Sequence, residues 1–354
     1  MQLSFFKSNR LINCRTFLFE PLFLTLLLFS VPNMAQAAGR LTVYCSVQHN
    51  VCEKMAQTFA QKYNVDTQFV RNSTGATLAK IKAERALPQA DIWYGGTIEP
   101  HFQAAKLGLL QSYRSPLQAQ TIPAFKHLLE KKGDFTSIGY LIVLGIGVNT
   151  EKFSQLGIND YPKCWKDLLD PRLKDQIQMP DPRNTGTGYT FIATLIQLWG
   201  EEEAFRYLKA LHNNISQYAK SGTEKSNLSR GEAAVTIGFI NGYASEKEKG
   251  APVEAILPCD GDSYSLGGIS ILNGARNLEN AKLFMDWALT AEAQEIAWRE
   301  EKMYQIPTNI YAQASPNSVN PKDLKLIDFD FDRFGSDIEG KRLIEKWTTE
   351  VKLN

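Results

Sequence analysis

Leu41-Thr42-Val43-Tyr44-Cys45-Ser46-Val47-Gln48-His49 decides how the rest of the chain is read. Its first four residues form a short β-rich run, and small polar residues follow before a helical pattern begins. Residues 51–63 carry Met55, Ala56, Phe59, Ala60 and Tyr63 at helical spacing. The alternation then repeats. Asp66 to Val70 reads as a strand, Ala76 to Ala86 as a helix with Leu78 and Ile81 inward, and Ala90 to Tyr94 as a third strand. Gly95-Gly96-Thr97 and another helix follow. Strands alternating with helices predict a parallel, helix-covered sheet. A length of 354 residues suits two compact α/β domains better than one.

Near Ile138 the texture changes. Tyr140 to Val148 is a long apolar β-rich stretch interrupted by Gly145 and Gly147, and Leu266 to Leu272 is a second one. Such strands are either connections between two lobes that share the chain discontinuously or two ordinary core strands. Between them lies another α/β series. It comprises a strand at Ile177-Gln178-Met179, helices over Tyr189 to Gly200 and Glu202 to Leu211, and a strand from Val235 to Phe239. Helices around 278–298 and 338–350 end the pattern, without internal repeats. The six tryptophans, Trp93, Trp165, Trp199, Trp287, Trp298 and Trp347, are read mostly as core.

The first 37 residues read as a leader. Lys7, Arg10 and Arg15 precede an apolar run from Pro21 to Val31, and Ala35-Gln36-Ala37 supplies a small-residue cleavage site. The apolar run is too short to cross roughly 30 Å of hydrocarbon. Export to the periplasm with cleavage near Ala37 is expected, and no Cys follows the site to carry a lipid. Without residues 1–37, the 39 basic and 38 acidic residues become 36 and 37. That balance, with no basic tract, argues against a nucleic-acid partner.

Cys45, Cys52, Cys164 and Cys259 remain after the leader, an even number that favours two disulfides in an exported chain. Four cysteines allow three pairings, and spacing alone does not choose among them. The preferred one joins Cys45 to Cys52, from a strand end to a helix start, and Cys164 to Cys259. A metal site is disfavoured because zinc-type C-x-x-C or H-x-x-x-H spacing is missing.

One arrangement recurs: a strand, then hydroxyl-bearing or glycine residues, then a helix start. It occurs at Ser46, at Ser73-Thr74, at Gly96-Thr97 and at Thr185-Gly186-Thr187. A helix start leaves backbone N–H groups free at a positive dipole end. Glycine admits a ligand to the backbone, and Ser or Thr adds a donor. Any one such loop is an ordinary helix cap. Several converging beyond the carboxyl ends of parallel strands make an anion site. Asn241 and Tyr243 follow the Val235 to Phe239 run and are candidates to face the same cleft. Cys259-Asp260-Gly261-Asp262 reads mainly as a turn, with Asp260 a candidate hydroxyl acceptor. Catalysis finds no support, since no H-E-x-x-H, G-x-S-x-G, S-x-x-K or P-loop motif occurs.

These residues resemble a known family. Leu41 to His49, Pro88 to Thr97 and Gly238-Phe239-Ile240-Asn241-Gly242-Tyr243 leading into Glu248-Lys249-Gly250 are similar to ferric-iron-type periplasmic binding proteins of ABC importers. The resemblance covers essentially the whole mature chain. It implies a two-lobed type II binding-protein fold, each lobe a mostly parallel sheet flanked by helices and joined by hinge strands. The expected division is a leader over 1–37, an N-terminal lobe over 38–143 and 266–310, and a C-terminal lobe over 144–265 and 311–354.

Iron binders of that family use a His, an acidic residue and two adjacent tyrosines. His49 matches the His, but the other positions fall on Gly96, Ile240 and Asn241, which would hold Fe(III) poorly. Tyr44-Cys45-Ser46, Arg71-Asn72, Trp93 to Thr97, Pro162 to Asp167, Ser216-Gln217-Tyr218, Gly267 to Leu272 and Gly274 to Leu278 resemble a hexose-phosphate-binding subgroup instead. There the polar loops form a phosphate cradle, while the subgroup's sugar-binding His-Asp pair aligns with Ile240 and Asn241. A monomeric protein is therefore expected that captures a small phosphorylated metabolite by hinge closure and delivers it to a membrane permease, with no cofactor. The alternatives are ferric-iron transport, a phosphate-ester hydrolase, or delivery to a membrane sensor.

Overall fold

A single strand, Ser137–Asn149, passes through two sheets, and the other elements are arranged on either side of it. The computed structural model describes residues 39–220, 222–320 and 324–352. The leader and its cleavage site near Ala37 lie outside those residues. Ahead of the long strand come β1 (Arg40–Cys45), α1 (His49–Tyr63), β2 (Asp66–Arg71), α2 (Thr74–Ala83), β3 (Ile92–Thr97), α3 (Glu99–Lys106) and α4 (Lys126–Lys132). The long strand is β4; α5 (Thr150–Gln155), β5 (Ile177–Pro180), α6 (Gly186–Trp199), α7 (Glu201–His212) and β6 (Ile215–Ala219) follow. Next are α8 (Thr223–Ser229), β7 (Val235–Phe239), α9 (Ile240–Glu248), β8 (Val253–Ile256) and β9 (Tyr264–Ile271). The chain continues through α10 (Leu278–Ala288), α11 (Ala291–Arg299), β10 (Ile306–Pro307), α12 (Phe331–Phe334) and α13 (Asp337–Trp347).

The strand order is β2-β1-β3-β9-β4-β7-β5-β6. The outer strands are parallel on both sides: β1 pairs with β2 and β3, and β5 with β6 and β7. β9 is antiparallel to both β3 and β4. β4 changes partner halfway. Its residues up to Val143 pair with β9, and Leu144 to Val148 pair with β7. Every residue of this 13-residue strand is buried, as a run of Ile, Leu and Val without polar alternation requires. Gly145 and Gly147 have a packing reason. A Cβ on Gly145 would stand 2.5 Å from Ile240 Cγ2, and one on Gly147 would stand 2.6 Å from Tyr243 Cε1. Helix α9 thus rests directly on the backbone of β4.

Of the two apolar stretches singled out in the sequence, only Tyr140 to Val148 is itself a crossing strand. The stretch Leu266 to Leu272 sits in the first sheet, and the chain returns just before it, where Leu144 N donates to Ser263 O at 2.8 Å. Helix α6 begins at Gly186, ahead of its apolar pattern, because the Thr185 hydroxyl accepts from Gly188 N at 3.1 Å. Trp93, Trp165, Trp287 and Trp347 are fully buried.

Glu99, the first residue of α3, ties three elements together. Its carboxylate accepts from the hydroxyl of Thr190 on α6 at 3.3 Å and from that of Ser265 on β9 at 3.0 Å. It is 0% exposed, and burial pushes its carboxyl up to about 7, with the hydroxyl donors opposing. Disulfides join Cys45 to Cys52 and Cys164 to Cys259, the preferred pairing.

A carboxyl whose folded value lies above its unfolded one keeps the folded state more protonated, so its contribution is full below the unfolded value and is lost as pH rises through 7. Urea melts should show the wild type losing roughly 2–3 kcal/mol relative to Glu99→Gln between pH 5 and pH 8; parallel pH profiles would contradict this. Separately, the Cys164–Cys259 bridge closes a separation of 95 residues and Cys45–Cys52 one of 7. Replacing the first pair by Ala should cost about 4.7 kcal/mol and the second about 2.4 kcal/mol on chain-entropy grounds. An equal loss for the two pairs in the same melts would count against that account.

Candidate anion-binding site

Beyond the carboxyl ends of the parallel strands lies a narrow cavity of about 50 Å³. Ser46, Val47 and Gln48 reach it from the turn between β1 and α1, Arg71 from the end of β2, and Thr74 from the start of α2. Gly96 and Thr97 come from the end of β3. From the second sheet come Gly186 and Thr187 at the start of α6, Lys225 of α8, Phe239 at the end of β7, and Asn241 at the start of α9. Tyr140 and Ile142 of β4, with Gln305, form the remaining wall.

Four helices, α1, α2, α6 and α9, therefore begin at this cavity. The first turns of α1, α2 and α9 have no side-chain cap; Gln48, Ser73 and Phe239 stand at their N-cap positions. Only α6 is capped, by Thr185. Uncapped N-termini keep backbone donors and a positive dipole end available to a negative group. Gly96 adopts φ +85°, and a Cβ there would collide with the Thr74 hydroxyl, so glycine is needed for this turn. Its N–H donates to the Tyr140 hydroxyl at 2.8 Å. The Thr74 hydroxyl accepts from Thr97 N at 3.2 Å, while the Ser46 hydroxyl accepts from Trp93 Nε1 at 3.0 Å.

Two cations complete the wall. Arg71 uses its Nε on the Val47 carbonyl at 3.0 Å, and its half-buried guanidinium has its pKa lowered by burial, with Glu224 opposing. Burial also lowers the Lys225 pKa, opposed by Glu224 and Glu246. Glu224 itself is buried, its carboxyl raised by that burial and held down by Lys225 and Arg71, and its Oε2 has no hydrogen-bond partner. No carboxylate lines the cavity among the described residues. Positive groups from both sheets thus face one space, which suits an anion and repels a metal cation.

Seven of the eleven residues proposed from sequence meet on this wall: Ser46, Thr74, Gly96, Thr97, Gly186, Thr187 and Asn241. The other four are placed elsewhere. The Ser73 hydroxyl donates to the Asn184 carbonyl at 2.6 Å. Thr185 spends its hydroxyl on the α6 cap and on the Asp181 carbonyl at 2.7 Å. Tyr243 is fully buried, with its hydroxyl accepting from Thr236 at 3.0 Å. Asp260 accepts from Trp165 N at 2.8 Å and pins the turn beside the Cys164–Cys259 bridge. Sequence reasoning missed Arg71 and Lys225 as site residues, together with Gln48 and Gln305. Arg71 ends a strand just before a hydroxyl-rich turn, and the Arg71-Asn72 pair is among the residues that resemble the hexose-phosphate-binding subgroup; both signals pointed to it.

Known proteins share this architecture. The profile of the bacterial extracellular solute-binding protein family matches residues 88–333. The structure of the periplasmic binding protein P5PA is 62% identical, covers 88% of this chain and 99% of its own, and superposes with a TM-score of 0.87. That of the periplasmic binding protein AfuA from Actinobacillus pleuropneumoniae, with exogenous fructose-6-phosphate bound, is 54% identical, with coverage of 90% and 100% and a TM-score of 0.88. An uncharacterized Haemophilus influenzae protein is 51% identical over 325 residues, 92% of this chain and 94% of that one. The fold is accordingly the two-lobed type II binding-protein fold, with β4 running through both sheets.

Proposed function

The chain belongs to the family of bacterial extracellular solute-binding proteins, and on that premise we propose that it captures a small phosphorylated metabolite by closure of two lobes. The observation that carries this reading is the meeting of four helix N-termini with Arg71 and Lys225 around one cavity free of carboxylates among the described residues. Charge-assisted hydrogen bonds from such donors are the strong ones, and a dianionic phosphoryl group accepts several at once. The likeness to AfuA, which holds fructose-6-phosphate, supports the same ligand class.

In this reading the lobes comprise 38–143 with 266–310, and 144–265 with 311–354. The leader is removed near Ala37, and the monomeric protein works in the periplasm. Ser46, Thr74, Gly96 and Thr97 of the first lobe and Gly186, Thr187, Lys225 and Asn241 of the second hold the ligand. An anion touching both lobes favours the closed form by its differential affinity for that form. The closed form then docks on an ABC permease. The protein binds without turnover and needs no cofactor. Ferric iron fits poorly, because a hard trivalent cation seeks carboxylate and phenolate donors and the wall offers two cations instead.

Calorimetric titration against fructose 6-phosphate, other sugar phosphates, a phosphonate, inorganic phosphate, a neutral sugar and Fe(III) tests the ligand class. At least one phosphorylated compound should bind, and at a hundred times its Kd it should stabilise the fold by about 2.7 kcal/mol. Lys225→Met and Arg71→Met should each weaken it by about tenfold to a hundredfold, the worth of one charge-assisted bond. Binding of the neutral sugar or Fe(III) with no phosphorylated binder, or turnover of a phosphate ester, would sink the reading.

A further inference from the structure

The two lobes touch each other directly beside the cavity. The Ser73 hydroxyl, at the start of α2, donates to the Asn184 carbonyl in the turn before α6 at 2.6 Å. Two residues on, Gly75 seats against the same turn. A Cβ at Gly75 would stand 2.8 Å from the Asn184 carbonyl carbon and 2.9 Å from its oxygen. Farther along α2, Lys82 Nζ lies 2.8 Å from Asp337 Oδ1 on α13. That helix is tied to the second lobe, where Arg342 and Lys346 both pair with Glu201 of α7 at 2.7 Å, and its Gly340 faces Gln103 of α3 in the first.

Gly75 has no local need to be glycine. Its φ is not positive, and it lies inside the first turn of a regular helix, where Ala is the better former. Gly75 is not part of the cavity wall, so ligand contact does not call for glycine either. What an added methyl group would obstruct is the backbone of the opposite lobe. Backbone atoms of a short turn do not give way as the far end of a flexible side chain does.

We propose that Gly75 is a closure-setting position: its missing side chain lets the N-terminus of α2 seat on Asn184, and this lobe-to-lobe seal sets ligand affinity without touching the ligand. The seal includes the Ser73–Asn184 hydrogen bond and the Lys82–Asp337 pair. Observed affinity scales with the population of the closed form, so a weaker seal weakens every ligand of the cavity by the same factor. The proposal rests on capture by closure as described above, yet the seal itself is measurable with no ligand present.

The test uses the full mature protein carrying Lys82→Cys and Asp337→Cys. The four cysteines at 45, 52, 164 and 259 are engaged in two disulfides, so the new pair supplies the reactive thiols. A short bismaleimide traps this pair when the lobes close, even where closure is transient. Adding Gly75→Ala should slow the cross-link at least tenfold, and adding Ser73→Ala should slow it several-fold. Gly75→Ala alone should melt no lower than the wild type and bind fructose 6-phosphate at least tenfold more weakly. An unchanged cross-linking rate, an unchanged affinity for a compound the wild type binds, or a thiol pair that never cross-links would overturn the proposal. Failure of the wild type to bind fructose 6-phosphate would count against that ligand, while the ligand-free rates would still decide the seal.

Discussion

One strand shared by two sheets is the constraint on which the cavity depends. Because β4 pairs with β9 up to Val143 and with β7 from Leu144, the two walls face each other at a geometry set by a short length of backbone. Breaking either ladder would leave buried N–H and C=O groups without partners, so each wall is held together as a unit. The same strand also furnishes the floor. Tyr140 and Ile142 line the cavity, and the Tyr140 hydroxyl holds the Gly96 turn at the end of β3. Gly145 and Gly147 let α9 lie on the strand, which carries Asn241 to the cavity mouth.

Around that floor the electrostatics are deliberately incomplete. Arg71 and Lys225 are partly withdrawn from water, and burial works against the charge of each. Facing cations in a low-dielectric space repel each other. Glu224 relieves this from behind the wall; its own carboxyl is held down by both cations against the pull of burial. A phosphoryl group entering the cavity would supply the missing negative charge from the front, where the uncapped helix turns also point.

The alternation of strands and helices was legible because the inner strands, buried on both faces, read as apolar runs and the helices between them kept their own period; the half-exposed edge strand β6 offers no such run and was not read. The hydroxyl-and-glycine turns were legible for the same reason, being punctuation between such runs. Which hydroxyl faces the ligand was not. Thr185 and Thr187 belong to one turn, yet the first caps α6 and the second lines the cavity. Asn241 and Tyr243 stand two residues apart on α9, a spacing that puts them on opposite faces of a helix. Asn241 reaches the cavity, and Tyr243 packs under it against Gly147 and Gly238. Helical periodicity alone would have separated them. Lys225 carried no comparable signal, because its place is set by how α8 packs across the second sheet.

The choice of organic group turns on Ile240 and Asn241. Ile240 opens α9 with its side chain against Gly145, and it also lines a second space of mixed character, where Leu141, Val143 and Ile306 stand with Lys247, Glu254 and Asn317. Asn241 borders both that space and the cation-lined cavity; its Oδ1 is buried without a partner, and its Nδ2 meets only the Met303 sulfur at 3.1 Å. A carboxylate at these positions would grip sugar hydroxyls strongly, whereas Ile accepts no hydrogen bond and an amide accepts a weaker one. A site built to pair buried polar groups with each hydroxyl rejects analogues lacking them, but an apolar wall discriminates mainly by size and shape. The unpartnered carbonyl of Asn241 would accept from one donor, not from a ring of hydroxyls.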